Sequence, residues 1–183
     1  MSELAALLKA ARNLDQKALA QIFDLYSSSL YKFISRLLHD PVQSDQMVAA
    51  VFEQLVADLS AGNGPRTNIR SYLYRIAYSL VLERFRDRHP HSHLEVAIRS
   101  LDKDKTAPEP QIDERVTMEA LLASMNTELS EDQRIVIILR FLEDFSLKET
   151  AEITGKDVNN VKVIQNRGIA KLKKAMGMQV EDE

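Results

Sequence analysis

Nonpolar side chains recur every three to four positions over three successive stretches, and this spacing constrains the fold more than any other feature. Leu19, Ile22, Phe23, Tyr26, Leu30, Phe33, Ile34, Leu37 and Leu38 form the first stripe. Val48, Val51, Phe52, Leu55, Val56 and Leu59 form the second, and Ile69, Leu73, Ile76, Leu80 and Val81 the third. A period near 3.6 gathers each set on one face of a helix, which then has to be buried. The first stripe ends before Asp40-Pro41 and the second at Ala61-Gly62-Asn63-Gly64-Pro65. The third stops by His89-Pro90, because a residue before proline is pushed out of the helical region. Three such helices, with room for a short one before them, predict a compact bundle.

Composition agrees with an all-α chain. Five glycines and five prolines in 183 residues are too few for a many-stranded sandwich or barrel, which needs a turn every 8–12 residues or so. No cysteine is present, which removes disulfide frameworks, thiolate zinc sites and cysteine nucleophiles. No apolar run approaches the roughly 18 residues of a membrane span. The stretch Met1–Lys9 is too charged for a secretory signal. A cytoplasmic location without membrane insertion is expected.

The helical pattern fails from about His91 to Ile112, where Ala107-Pro108-Glu109-Pro110 cannot be helical, and resumes near Asp113. Two small helical domains joined by a flexible linker are therefore expected: residues 1–90, a linker over 91–112, and residues 113–183. In the second half, Ser130-Glu131-Asp132-Gln133 and Ser146-Leu147-Lys148-Glu149 are capping boxes that open helices. Ile135-Val136-Ile137-Ile138-Leu139 could pass for a buried strand, but the capping box before it favours helix. A short helix from Leu147 stops at Gly155, and another, capped by Asp157, runs from Val158 to about Met176.

The net charge of −3 hides segregation. Arg66 to Arg88 carries six arginines against Glu83 and Asp87, a local +4. Lys156 to Lys174 carries six bases against Asp157, a local +5. Between them Asp102 to Glu119 is acidic. Two basic patches on either side of an acidic connector read as two contact surfaces.

The later patch lies on a helix-turn-helix. Ala151 is small enough for close helix approach, Gly155 can take the positive φ of the turn, and Val161 and Ile164 face inward. The outer face then carries Asn159, Asn160, Lys162, Val163, Asn166 and Arg167, whose amides and cations suit base edges and phosphates. The alternative is an ordinary helical hairpin with a solvated basic face. On the earlier patch, Arg70, Arg75, Arg84, Arg86 and Arg88 alternate with Tyr72, Tyr74, Tyr78 and Phe85. Exposed rings beside guanidiniums suit single-stranded nucleic acid; the alternative leaves Tyr72 and Phe85 in the core and the arginines merely solvated.

Nothing resembles a catalytic constellation, and no cofactor is expected. His89-Pro90-His91-Ser92-His93 has no acidic or cysteine neighbour, so a linker start is the better reading and no metal is expected. Gly62-Asn63-Gly64 lacks the ending of a phosphate loop. Glu143-Asp144 reads as an acid pair in a turn, without a histidine or nucleophile.

From about Gln16 to Met176 these segments together resemble a bacterial RNA polymerase sigma factor of the extracytoplasmic-function group. Leu19–Tyr26 with Leu30–Phe33 looks like the opening of sigma region 2. Val48-Ala49-Ala50-Val51-Phe52 sits where the group has its core-polymerase-binding helix, and Tyr72–Ala77 with Arg84–Arg88 where it handles the −10 element. Leu129–Arg134, Leu147–Ile153 and Val161–Leu172 look like region 4.

The resemblance implies roles. Asn159, Asn160, Lys162, Val163, Asn166 and Arg167 would read the −35 element in the major groove. Gly62, Asn63 and Arg66 would form the pocket for a base flipped from the −10 element. Arg70, Tyr74, Arg75, Tyr78, Ser79 and Arg86 would hold that strand. Asp45, Val48, Ala49, Phe52 and Glu53 would meet core polymerase. The implied protein is not an enzyme and is a monomer when free. Its implied partners are core RNA polymerase, promoter DNA and, as often in the group, an anti-sigma factor.

Some positions depart from the group's pattern. Gln46, Ala49 and Ala50 stand where acids and a Gln-Glu pair are usual, and Tyr72, Ser79 and Glu83 replace the usual tryptophan, asparagine and aspartate. They keep a second reading open: a degenerate sigma-like regulator that binds DNA or protein without directing initiation. The sigma-factor reading needs the two halves not to pack permanently together with those arginines and amides buried between them.

Overall fold

A computed structural model describes residues 3–88 and 118–177. The expected linker, its histidine cluster, the acidic connector and the resumption near Asp113 lie largely or wholly outside these residues. All regular structure among the described residues is helical.

Helix α1 spans Glu3–Arg12, α2 Gln16–Leu38, α3 Pro41–Ser60 and α4 Ile69–Arg88. Asp15 caps α2 by accepting from the Ala18 amide at 2.8 Å, and Asp40 caps α3 with Pro41 in its first turn. Both choices suit helix starts, since a carboxylate accepts an orphan N–H and proline has none to lose. The first stripe buries Ile22, Leu30, Phe33, Ile34 and Leu37; the second buries Val48, Val51, Leu55 and Leu59. Phe23 and Val56, placed on those stripes by spacing, are instead exposed. Val56 lies on the margin of its stripe, and Phe23 packs on Phe52 beside a groove left open between α2 and α3.

Helix α5 spans Met118–Glu128, α6 Glu131–Ile137, α7 Leu147–Thr154 and α8 Val158–Ala175. Both capping boxes form, at Ser130 with Gln133 and at Ser146 with Glu149. The β-branched run is helical, but its end widens into a π-turn over Ile138–Leu142. Such wide turns are uncommon and often mark functional positions. Here the turn delivers Glu143 into the interior, where it is 7% exposed.

Helix α4 is covered on two sides: Ile69, Leu73, Tyr74, Ala77, Tyr78, Val81 and Phe85 are all buried, while Arg75, Ser79, Glu83 and Arg86 stay exposed along a remaining face. Helices α2 and α3 cover one side and α7 packs on another. One apolar core therefore runs through both halves, from Leu8 to Leu172.

Candidate nucleic-acid interface

The helix-turn-helix is built on a small separate cluster. Val136, Ala151 and Val161 are buried together, with Leu147 and Ile164 packed on them. Gly155 ends α7 with φ +66°, in the left-handed region that glycine enters without steric cost. Asp157 caps α8 by accepting from the Asn160 amide at 2.9 Å. With Val161 turned inward, the opposite face of α8 points to solvent. Asn159, Asn160, Lys162, Val163, Asn166 and Arg167 are all exposed. Amide donors and acceptors, two cations and one methyl-bearing side chain thus share one exposed helix face.

The earlier basic patch is arranged differently from its expectation. Arg66, Arg75, Ser79 and Arg86 are exposed, as are Gly62 and Asn63 in the loop before α4. Gly62 takes φ +77°, which lets the chain turn out of α3. A cleft of about 220 Å³ opens among Pro65, Arg66, Thr67, Ser71, Tyr72 and Arg75. The Arg75 guanidinium lies 4.9 Å from the Tyr72 ring centre, and the Tyr72 hydroxyl donates to Asp58 at 2.6 Å. Tyr74 and Tyr78, expected as accessible rings, are instead buried at 0% and 7% exposure. The reason is the second covered face of α4, which a single-stripe reading overlooks. Tyr72 is half-buried and Phe85 buried, closer to the core reading of those two rings.

Arg70 and Tyr74 face the second half. The Tyr74 hydroxyl donates to Glu143 Oε2 at 2.6 Å, and Arg36 Nη1 donates to Glu143 Oε1 at 2.7 Å. Arg70 donates to the Glu143 carbonyl oxygen, and its guanidinium lies 4.0 Å from the Phe145 ring centre. The rings of Phe33, Tyr74 and Phe145 form a ladder at 5.1 and 4.8 Å. Burial and the Glu143 carboxylate push the Tyr74 phenol well above its ordinary range. Nearby, Asn68 donates to Glu149 at 3.2 Å. The Ser146 amide, the Asn68 side chain and the Arg70 charge together hold the Glu149 carboxyl below its usual range. Glu143 is the residue that sequence reasoning missed: its neighbour in the chain is acidic and solvent-turned, and nothing in the spacing marks a π-turn.

Three of the five residues expected to meet polymerase line one groove of about 460 Å³ between α2 and α3. Asp45, Val48 and Ala49 line it together with Phe23 and Tyr31. Phe52 does not line it but packs on Phe23, with ring centres 4.8 Å apart. Ala49, Asp45 and Glu53 are exposed, Phe52 is half-buried, and Val48 is buried and forms the floor. Among the described residues there is no cluster of metal-binding side chains, and no helix is long and apolar enough to cross a membrane.

The sigma-70 region 4 family matches residues 120–172, which hold α5 to most of α8. The extracytoplasmic-function sigma factor SigW of Bacillus subtilis is 26% identical over 180 residues, covering 92% of this chain and 94% of that protein. SigX of the same organism is 24% identical over 166 residues, covering 88% and 84%. A solved structure of the sigma factor RpoE in complex with the anti-sigma factor NepR, from Bartonella quintana, shares the fold. Its TM-score is 0.67 at 20% identity, over 90% of this chain and 99% of that one. The chain is thus similar nearly end to end to sigma factors of the extracytoplasmic-function group, matches sigma-70 region 4 over its helix-turn-helix, and shares an all-helical fold with a solved sigma factor.

Proposed function

We propose that the chain is an alternative sigma factor that binds core RNA polymerase in the cytoplasm and directs promoter-specific initiation. The observation that carries this is the outer face of α8, where six side chains suited to base edges and phosphates are all open to solvent. In this reading residues 113–183 form the unit that reads the −35 element through Asn159, Asn160, Lys162, Val163, Asn166 and Arg167. Residues 1–90 form the unit that docks on polymerase along the α2–α3 groove and holds the melted −10 strand, with 91–112 between them. The cleft at Arg66 and Arg75 receives a flipped base, whose unstacking costs a few kcal/mol that stacking and phosphate contacts must offset. The chain lends specificity to an enzyme and is not one itself. A protein partner that masks these surfaces, as NepR partners RpoE, fits the same reading.

A second reading has one observation in its favour. The exposed or half-exposed positions Gln46, Ala49 and Ala50 leave the face of α3 with little charge to offer polymerase. A sigma-like regulator that binds DNA without directing initiation would tolerate this. Run-off transcription with purified core polymerase and a promoter with separated −35 and −10 elements distinguishes the two. A transcript that depends on this chain supports initiation; promoter occupancy with no transcript supports the second reading.

A further inference from the structure

The two halves meet in an unusual chemical pattern: acids from the second half sit on arginines and polar groups of the first. Glu143 places its carboxylate on Arg36 and the Tyr74 hydroxyl, and its carbonyl on Arg70. Glu149 accepts from Asn68. Glu152 lines the cleft that also holds Arg66 and Arg75. Phe145 stacks on the Arg70 guanidinium. A nucleic-acid strand offers arginine the same two things, anionic oxygens and a flat ring. The segment from Glu143 to Glu152 supplies both from within the chain. Tyr74 and Tyr78 are buried where the halves meet, whereas the α8 face stays open.

We propose that this acidic segment is an internal competitor for single-stranded nucleic acid on α4, so that the free chain holds a closed state in which strand binding is masked and duplex reading is not. Glu143 is the latch, because it alone engages three groups of the first half from a buried position. Glu149 and Glu152 are the outer, solvent-exchanging part of the same contact. Opening exposes Arg70, Tyr74 and Tyr78 together. Strand affinity in the free chain is then the intrinsic affinity reduced by the fraction of molecules that are open. The inference rests on the reading of α4 as a strand-holding helix.

The test uses the full chain, which has no native cysteine, so K17C with A170C gives a unique pair of spin labels. Label distances and affinity for a fluorescent mixed-sequence single-stranded oligodeoxynucleotide are measured in the parent, in E143Q, and in the double variant E149Q with E152Q. E143Q alters a buried group and could lose the fold, which circular dichroism would show. The double variant changes only half-buried or exposed positions and carries the test in that event. The expected result is a population of longer distances in the variants and an oligonucleotide affinity raised about tenfold, as when the open fraction rises tenfold. Unchanged distances in every folded variant would overturn the latch. Longer distances with unchanged affinity, where binding still falls on Arg75→Ala, would overturn the masking and leave the strand-holding reading intact. No oligonucleotide binding in any opened variant would overturn that reading and the masking with it.

Discussion

Glu143 shows how much one side chain can do in a small helical protein. Its carboxylate is nearly sealed from water yet fully satisfied, by a guanidinium on one oxygen and a phenol on the other. A buried charge survives only when such partners are present, and removing one partner leaves a desolvated group behind. Tyr74→Phe should therefore cost about 1–2 kcal/mol although it deletes a single oxygen, read as a shift in the urea midpoint at unchanged slope. The pH dependence has a defined sign. Burial first, then the Glu143 contact, raises the Tyr74 phenol above its ordinary 10.0. A group that holds its proton more tightly folded than unfolded contributes stability below the unfolded value, and that contribution is lost as pH climbs past it. Unfolding free energy should fall as pH rises from about 10 upward, and Tyr74→Phe should flatten that fall. An identical slope in the variant would show that Tyr74 is not the group responsible.

At the scale of the element, the helix-turn-helix was the part most legible in the sequence. Its boundaries follow from local chemistry: Ser146 with Glu149 opens α7, Gly155 closes it and Asp157 opens α8. Ser146→Ala should cost about 1 kcal/mol by loss of the cap, and Gly155→Ala about the same by forcing a side chain into left-handed backbone. Thermal melts would check both. Neither should alter the exposed face of α8. Arg167→Ala should weaken duplex binding and lower the slope of log affinity against log salt by about one, the signature of one lost phosphate contact. An unchanged slope would remove Arg167 from the contact set. Helix α4 was less legible for a physical reason. A helix covered on two sides has no single stripe, so spacing picked out Ile69, Leu73 and Ile76 but left Tyr74 and Tyr78 among the surface residues. The π-turn was invisible for a related reason, since Ile135 to Leu139 is apolar at every position and carries no period to read.

At the scale of the molecule, each half can be anticipated from its own residues, but their contact cannot. The groups that meet, Arg36, Asn68, Arg70 and Tyr74 with Glu143, Phe145 and Glu149, are scattered over more than a hundred positions and share no motif. Local periodicity reports burial within a helix and its neighbours in sequence; it carries no record of which distant face supplies the cover. The arrangement leaves two surfaces open at once, the α2–α3 groove and the outer face of α8. Ala49 is exposed on the rim of that groove, so Ala49→Arg should leave folding intact and weaken polymerase docking. Gel filtration of the full chain with purified core RNA polymerase should give one co-eluting complex that Ala49→Arg diminishes. A chain that still binds duplex DNA but elutes wholly apart from the polymerase is not an initiation factor.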